Sequence, residues 1–419
     1  MFNSQVRLSF SISTLLCCLL VTLSTVQAED WSSFRGPRGQ GVSNDEKVPV
    51  EWSDTKNMKW KLELPGKGFS SPIVVGKQVL VTCYSGSLAS IKRHLVSVDR
   101  QAGTINWVTS VDSEAAESRG ASFGTSHGFT SHTPVSDGKN IYVLFGKTGV
   151  FAFDMKGQQV WKKSVGTGSA MFGSAASPIL YKDHLIVTAA SENQSIVALN
   201  KSDGEEAWST KAGSLGRSYA SPMVATNEQG GDELLISVPY EIWSLNPGTG
   251  KLNWFSVNNV DTNACPGLVQ NGSTVYVIGG RSPGGRAAVK LDGKKDAGEL
   301  KSLWSATGGS YVSSPVLFKE HLYWFTERGI GICVDAKTGK EVTRKRIGGQ
   351  FYASALLIKD KIYAVSRFTG THVFSATPEL TQLAHNKLTD QSDFSGSPAV
   401  SDGQLILRSD KFLYCIEAK

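Results

Sequence analysis

Residues 220–254 read ASPMVATNEQGGDELLISVPYEIWSLNPGTGKLNW, and this stretch contains every signal from which the fold can be predicted. It opens with two small residues and Pro222, and proline inside a sheet is confined to edges and strand starts. Two apolar runs follow, Leu234–Val238 and Ile242–Asn246, and such runs are typical of strands. A glycine-containing turn then leads to Trp254, as expected for a hairpin. The stretch predicts one antiparallel sheet of short strands.

The same pattern recurs along the chain at a nearly constant interval. Prolines stand at positions 134, 178, 222 and 266, a step of about 44 residues, which is the period of a four-stranded propeller blade. Eight copies can be counted, and the seventh has alanine in place of proline. The copies are Ser70-Ser71-Pro72, His132-Thr133-Pro134, Ala176-Ser177-Pro178, Ala220-Ser221-Pro222, Ala264-Cys265-Pro266, Ser313-Ser314-Pro315, Ala353-Ser354-Ala355 and Ser397-Pro398.

The two ends of the chain complement each other. The last copy lacks a fourth strand, whereas residues 58–64 contain a tryptophan-bearing strand that precedes the first copy. Pairing these two ends would close the ring and remove its open edges. The sequence therefore predicts an all-β fold over residues 58–419, an eight-bladed β-propeller of four-stranded antiparallel blades closed by an N-terminal strand. Residues 29–57 are interpreted as an N-terminal extension, of which residues 29–50 are expected to be dispensable.

Residues 1–28 have the composition of a secretory signal peptide. Arg7 precedes an apolar run that is densest from Leu15 to Leu23, and Val26-Gln27-Ala28 places small residues where signal peptidase reads them. We therefore expect cleavage after Ala28 and export to the periplasm or cell envelope. Cys17 and Cys18 leave a lipid-modified cysteine open as an alternative. No later segment is long and apolar enough to suggest a membrane span.

Composition and charge exclude other classes of protein. A hydrophobic fraction of 40% excludes general disorder, and 43 glycines with only 19% charged residues are unlike a helical bundle. The net charge is 43 − 37 = +6 without a large basic cluster, so nucleic acid is not an expected partner. The four cysteines after the signal lack the spacing of a redox or zinc site, and we expect them to be buried small side chains.

The repeating unit of serine-proline, two strands, Thr-Gly-Lys and tryptophan resembles the repeat of the pyrroloquinoline-quinone (PQQ)-like β-propellers. Its clearest copies are Lys337–Lys340 and Pro247–Lys251, the latter followed by Trp254. Asp30–Pro37 resembles the leader of exported bacterial propellers of the BamB type. The resemblance covers residues 58–419 and implies a non-enzymatic scaffold or binding module whose partners are other exported or envelope proteins. We expect a monomer.

The same resemblance implies an alternative, a PQQ-dependent dehydrogenase. In quinoprotein dehydrogenases the propeller holds PQQ and Ca²⁺ beside a vicinal disulfide, but the only adjacent cysteines here are Cys17 and Cys18 in the signal segment. Neither a catalytic motif nor a set of calcium ligands can be matched. No catalytic residue and no metal are therefore predicted, and PQQ rests on the resemblance in fold alone. A carbohydrate- or polymer-binding propeller is a third alternative.

The repeated tryptophans are expected to pack between neighbouring blades. A residue type that recurs at one blade position makes the same packing contact in each copy. A buried indole contributes a large apolar area to such a contact. These residues are Trp60, Trp107, Trp161, Trp208, Trp254 and Trp304.

Binding is expected instead at residues just ahead of the inner strands, where a propeller opens its central channel. The candidate binding residues are Arg217, Tyr219, Tyr311, Tyr352 and His132, and Phe69, Phe172 and Phe394 also lie two to six residues ahead of the serine-proline position of their repeats. An alternative is that these rings plug the channel. In the long first insertion, which also contains Arg119, the two histidines His127 and His132 leave a metal site open as a further alternative.

Overall fold

Eight antiparallel sheets stand as blades around a central channel, which confirms the predicted propeller. The computed structural model describes Met1 and residues 30–87, 90–113, 129–170, 172–281, 283–292 and 295–419. The proposed signal peptide, Arg119 and His127 lie outside the described residues. Within each blade we letter the strands A to D from the channel outward.

Blades 1 to 4 follow one another along the chain. Blade 1 comprises Ile73–Val75, Gln78–Ser85, Lys92–Asp99 and Ile105–Asp112. Blade 2 comprises Val135–Ser136, Asn140–Leu144, Val150–Asp154 and Gln159–Lys163. Blade 3 comprises Ile179–Tyr181, His184–Ala189, Ser195–Asn200 and Glu206–Lys211. Blade 4 comprises Met223–Thr226, Asp232–Val238, Glu241–Leu245 and Leu252–Val257.

Blades 5 to 8 complete the circle. Blade 5 comprises Val269–Asn271, Thr274–Gly279, Gly285–Lys290 and Ser302–Thr307. Blade 6 comprises Val316–Phe318, His321–Phe325, Ile330–Asp335 and Glu341–Arg346. Blade 7 comprises Leu356–Ile358, Lys361–Ser366, Gly370–Ser375 and Gln382–Asn386. Blade 8 comprises Ala399–Ser401, Gln404–Arg408, Phe412–Glu417 and, as strand D, Met58–Glu63.

The ring is closed by a strand from the other end of the chain. Met58–Glu63 pairs antiparallel with Phe412–Glu417, and Trp60 lies opposite Cys415. The innermost strands of blades 1 and 8 also contact each other. The last blade therefore has four strands like the others, and the outer edge of its third strand is covered.

Two short additions depart from the regular pattern. Lys295–Asp296 and Glu299–Leu300 form a hairpin that joins strand D of blade 4, so that this sheet has six strands. Val42–Ser43 pairs in parallel with strand A of blade 7, which places part of the N-terminal extension inside the channel. The short helical segments described are Gly146–Thr148, Ala190–Asn193 and Gly213–Arg217.

The cores lie between blades and are built from strands B and C. Strand B of blade 3 is buried along Leu185–Ala189, on both of its faces, because each blade packs a neighbour on either side. Strand D is more exposed and often alternates, as in Ile105–Asp112. Cys83, Cys333 and Cys415 lie buried in strands as free thiols.

The tryptophans of strand D join most blades to the next one. In blade 3, Trp208 donates its indole N–H to the carbonyl of Pro247 in blade 4 and packs on Gly250. Gly250 has a φ of +69°, and a Cβ there would lie 2.4 Å from the Trp208 ring, so the turn requires glycine. Equivalent indole N–H bonds run from Trp60 to Arg100, Trp107 to Met155, Trp161 to Lys201 and Trp304 to Ala336, at 2.8–3.3 Å. Trp254 differs, because it donates to Glu233 of its own blade at 2.6 Å.

A belt of hydroxyl groups joins the blades around the channel. In most repeats the residue before the proline, or before Ala355 in the seventh repeat, donates its backbone N–H to a hydroxyl. That hydroxyl belongs to the equivalent residue of the next blade. Cys265 interrupts this series in blade 5, where the N–H of Gly267 takes over the bond to blade 6. The donor and acceptor pairs are Ser71–Thr133, Thr133–Ser177, Ser177–Ser221, Gly267–Ser314, Ser314–Ser354, Ser354–Ser397 and Ser397–Ser71, at 2.8–3.1 Å.

Candidate functional site

The N-terminal extension crosses one end of the channel. Trp31 and Arg35 are each only 3% exposed, and Val48 and Trp52 are buried as well. This burial contradicts the expectation that residues 29–50 are dispensable, because that expectation treated a segment outside the repeats as unpacked. Backbone or side-chain hydrogen bonds tie the extension to Val74, Ser136, Met223, Gln270, Pro315, Leu357 and Gly403, which belong to seven different blades or the loops that lead into them.

Above the extension the channel forms a funnel with a cavity volume of about 170 Å³. Phe34 of the extension lies at its base, and residues that lead into strands A form its wall. The wall combines aromatic rings with the hydroxyl belt. Its lining residues are Phe34, Phe69, Ser71, Ser131, Phe172, Ala175, Ser177, Tyr219, Ser221, Asn263, Cys265, Tyr311, Val312, Ser314, Tyr352, Ser354, Ser395 and Ser397.

Tyr219, Tyr311 and Tyr352 come together in this wall from blades 4, 6 and 7. Phe69 and Phe172 lie in it too, and Phe172 packs edge-on against Tyr219 with ring centroids 6.2 Å apart. These rings surround a cavity. The base of the funnel is formed by the extension. The alternative in which the aromatic rings plug the channel did not take this segment into account.

His132 and Arg217 do not line the funnel. His132 is 2% exposed, because Ser131 faces the cavity and the next side chain of an extended segment points the other way. Arg217 ends the short helical segment Gly213–Arg217, and its side chain is exposed outside the lining. Phe394 is buried against Tyr414 at 5.8 Å between ring centroids. The two polar residues predicted at the channel mouth, His132 and Arg217, therefore lie outside the cavity lining.

The wall of the funnel is electrically neutral at neutral pH. Burial raises the pKa of Tyr219 to about 12 and that of the Cys265 thiol to about 12, and it also raises the pKa of Tyr311. None of the described residues that line the cavity is acidic, basic or a histidine. The site thus offers aromatic faces, hydroxyl groups and one amide, which suit an uncharged ligand segment.

The comparison with known proteins supplies the family. The sequence matches the family described as outer membrane protein assembly factor BamB, over residues 42–167 and again over residues 93–345. Together the matches span more than half of the chain. The chain belongs to this family. The resemblance found in the repeats is thereby confirmed.

Solved structures related to this BamB-family chain show the same fold. BamB from Moraxella catarrhalis is 12% identical with a TM-score of 0.61, covering 85% of this chain and 98% of that chain. A europium-containing methanol dehydrogenase is 12% identical with a TM-score of 0.50, covering 83% and 90%. A computationally designed protein, Ika8, is 12% identical with a TM-score of 0.55, covering 84% and 98%. No curated protein sequence matches the chain.

The funnel of this BamB-family chain does not fit PQQ. PQQ carries carboxylate groups that need cationic partners, and none of the described lining residues is cationic. Ca²⁺ takes carboxylate and carbonyl oxygens, yet no aspartate or glutamate belongs to the described lining. Across the described ranges there is also no group of three or more His, Cys, Asp or Glu side chains that could hold a metal ion. We therefore derive no catalytic step through PQQ.

A cation at the rim was missed by the sequence analysis. Arg367 stacks over the ring of Tyr352, with its guanidinium carbon 4.4 Å from the ring centroid, and pairs with Asp393. Arg367 lies in the hairpin between strands B and C of blade 7. In the sequence it therefore follows strand A, whereas the predicted candidates precede that strand. The sequence analysis considered only residues that precede strand A and therefore did not include Arg367. An arginine beside Phe368 in a hairpin is a sequence signal for a cation–π contact.

A buried polar cluster lies outside the cavity lining, and the sequence predicted only its His132. His132 contacts the hydroxyl of Ser174 through Nε2 at 2.8 Å, and Ser174 in turn bonds Glu192. Burial lowers the pKa of His132 to about 3 and raises the pKa of Glu192, so both groups favour their neutral forms. Glu192 sits in the short helix Ala190–Asn193, which no repeat predicts.

In the described part of the chain no helix is both long and apolar enough to cross a membrane.

Proposed function

We propose that this protein is a non-enzymatic exported β-propeller that acts as a protein-interaction scaffold in the cell envelope. The observation that carries the proposal is the funnel, a neutral cavity lined by aromatic rings and hydroxyls and closed below by Phe34. We further propose that the funnel receives a segment of the partner. Aromatic side chains supply contact area with few rotatable bonds, and hydroxyls can bond a peptide backbone.

Membership of the BamB family supports a partner among other exported or envelope proteins, since the family is described as an outer membrane protein assembly factor. The signal-like residues 1–28 support export, with cleavage after Ala28. The hydroxyl belt supports a preformed wall, because seven bonds join neighbouring blades around the cavity. A preformed site loses little entropy when it binds. We propose a monomeric scaffold without a bound cofactor.

The test replaces two rings of the funnel. In the double variant Tyr219→Ala and Tyr352→Ala, we expect the fold to persist and partner binding to fall at least about tenfold, as for interface aromatic residues that dominate affinity. The matched control is Tyr240→Ala, which removes a tyrosine that is 52% exposed in a turn of blade 4.

The partner is identified by placing a photo-activated cross-linking residue at Tyr311 and irradiating intact cells. We expect one dominant cross-linked envelope protein, which the same residue placed at Tyr240 does not capture. If the double variant retains the partner as well as the control does, the funnel is not the binding site. Reduction of a dye by the purified protein with PQQ, Ca²⁺ and alcohols would contradict the non-enzymatic proposal.

A further inference from the structure

A second cavity lies beneath the funnel, between the extension and the inner strands of blades 2 to 5. Its volume is about 160 Å³. Phe34 and Ser221 line both cavities. The second cavity differs from the funnel in charge, because Arg35 and Arg38 line it while none of its described lining residues is acidic.

Arg35 has hydrogen-bonding capacity that the protein does not use. It is 3% exposed, and its Nη2 donates to the carbonyls of Gln40 and Pro315. Its Nε and Nη1 are buried and have no acceptor among the described residues. A buried donor without a partner destabilises the fold, and the effect is larger when the group is charged.

The charge of Arg35 is equally uncompensated. Burial alone lowers the pKa of Arg35 to about 9, and no carboxylate opposes this effect. Buried charges in proteins are normally paired with an opposite charge. The extension is thus held across the channel by a guanidinium that lacks an anionic partner within the described chain.

Other donors face the same cavity. The hydroxyl of Ser221 accepts the N–H of Ser177 at 2.9 Å, which leaves its own hydrogen free to donate. Arg38 is exposed yet belongs to the lining, so the cavity opens to solvent beside it. Arg35 and Arg38 therefore line one cavity, which is open to solvent at Arg38.

We propose that this second cavity binds a small oxyanion, of the size of phosphate, sulfate or a free carboxylate, through the unpaired Nη1 of Arg35 with help from Arg38 and Ser221. A guanidinium N–H donates a strong, charge-assisted hydrogen bond to such groups. The site would fasten the extension across the channel. This inference concerns another cavity than the proposed partner site, and either can fail without the other.

The test measures binding of inorganic phosphate and of acetate to the purified protein by titration calorimetry at constant ionic strength. We expect one site per chain, with affinity reduced at least about tenfold in Arg35→Met and several-fold in Arg38→Gln. Arg281→Gln, at an exposed arginine in a loop of blade 5, is the matched control and should bind like the parent. Stronger binding of phosphate than of acetate would identify an inorganic oxyanion as the ligand, and the reverse would identify a carboxylate.

A second measurement does not depend on whether the Arg35 variant folds. Crystals of the parent protein soaked in selenate should show an anomalous peak within hydrogen-bonding distance of Arg35. Arg38→Gln, which changes an exposed side chain, should weaken that peak. Absence of binding heat and of an anomalous peak in the parent protein would overturn the proposal, as would equal phosphate affinity in a folded Arg35→Met variant.

Discussion

At the scale of single residues, the contact between blades depends on one indole ring resting on one glycine. Trp208 is 8% exposed, donates to Pro247 and covers Gly250, whose φ of +69° leaves no room for a side chain. In the repeating sequence pattern a turn glycine is followed by a tryptophan, but these two residues belong to different contacts. The glycine is covered by the tryptophan of the preceding blade. Trp60, Trp107, Trp161, Trp208 and Trp304 each cover a turn glycine of the next blade, whereas Trp254 bonds within its own blade.

We expect Trp208→Ala to lower the free energy of unfolding by about 3–5 kcal/mol, because it removes a buried aromatic ring and leaves a cavity. The measurement is denaturant unfolding followed by fluorescence and circular dichroism. Leu252→Ala is the control, since Leu252 is 54% exposed on strand D of blade 4 and its loss should change stability by less than about 0.5 kcal/mol. Equal stability of Trp208→Ala and the parent would contradict a packing role.

The sequence predicted those features that recur and missed those that do not. The tyrosines at 219, 311 and 352 all lie just ahead of the inner strand of their blade, so their convergence followed from ring symmetry. His132 could not be placed, because the direction of one side chain ahead of a strand depends on local alternation. Arg35 was not recognised as buried, because each of its hydrogen bonds and cavity contacts appears only after the chain has closed around it.

At the scale of elements, the inner strands are joined by hydroxyls in addition to apolar packing. The N–H of Ser314 donates to the hydroxyl of Ser354 at 3.1 Å, and the N–H of Ser354 donates to Ser397 at 2.9 Å. A serine in front of a strand thus satisfies the backbone of the preceding blade. In blade 5 Cys265 occupies this position, and the described bond to blade 6 comes from Gly267 instead.

We expect Ser354→Ala to destabilise the fold by about 1–3 kcal/mol, because it leaves the buried N–H of Ser314 without its acceptor. Thermal unfolding of the variant gives the measurement. Ser202→Ala removes a hydroxyl from an exposed turn of blade 3 and should leave the melting temperature unchanged. Similar melting temperatures for the two variants would show that the belt does not contribute to stability.

At the scale of the whole molecule, the extension and the closing strand have separate tasks. Residues 30–50 cover one end of the channel, whereas Met58–Glu63 completes the last blade. The ring can therefore remain closed when the covered end is opened. Both segments precede the first complete blade, and their roles differ because one crosses the ring and the other extends its outer edge.

Chains that start at residues 29, 51 and 67 should separate these tasks. We expect the chain from residue 51 to remain monomeric but to lose at least about 3 kcal/mol, because it lacks Trp31 and the channel cover. The chain from residue 67 should aggregate, since the third strand of blade 8 is left with an open edge. Size-exclusion chromatography with light scattering and thermal unfolding provide the readouts. A chain from residue 67 that stays monomeric and as stable as the chain from residue 51 would refute the closing role.

The pairing of Met58–Glu63 with Phe412–Glu417 also determines when the molecule can finish folding. The closing strand is synthesised before blade 1, and its partner strand is synthesised after blades 1 to 7. Contacts between distant parts of a chain form slowly, because their loop entropy is lost before the contact is gained. The ring therefore matures late, and during that delay the strand that carries Trp60 remains accessible to chaperones, to proteases and to the open edges of other unfinished copies.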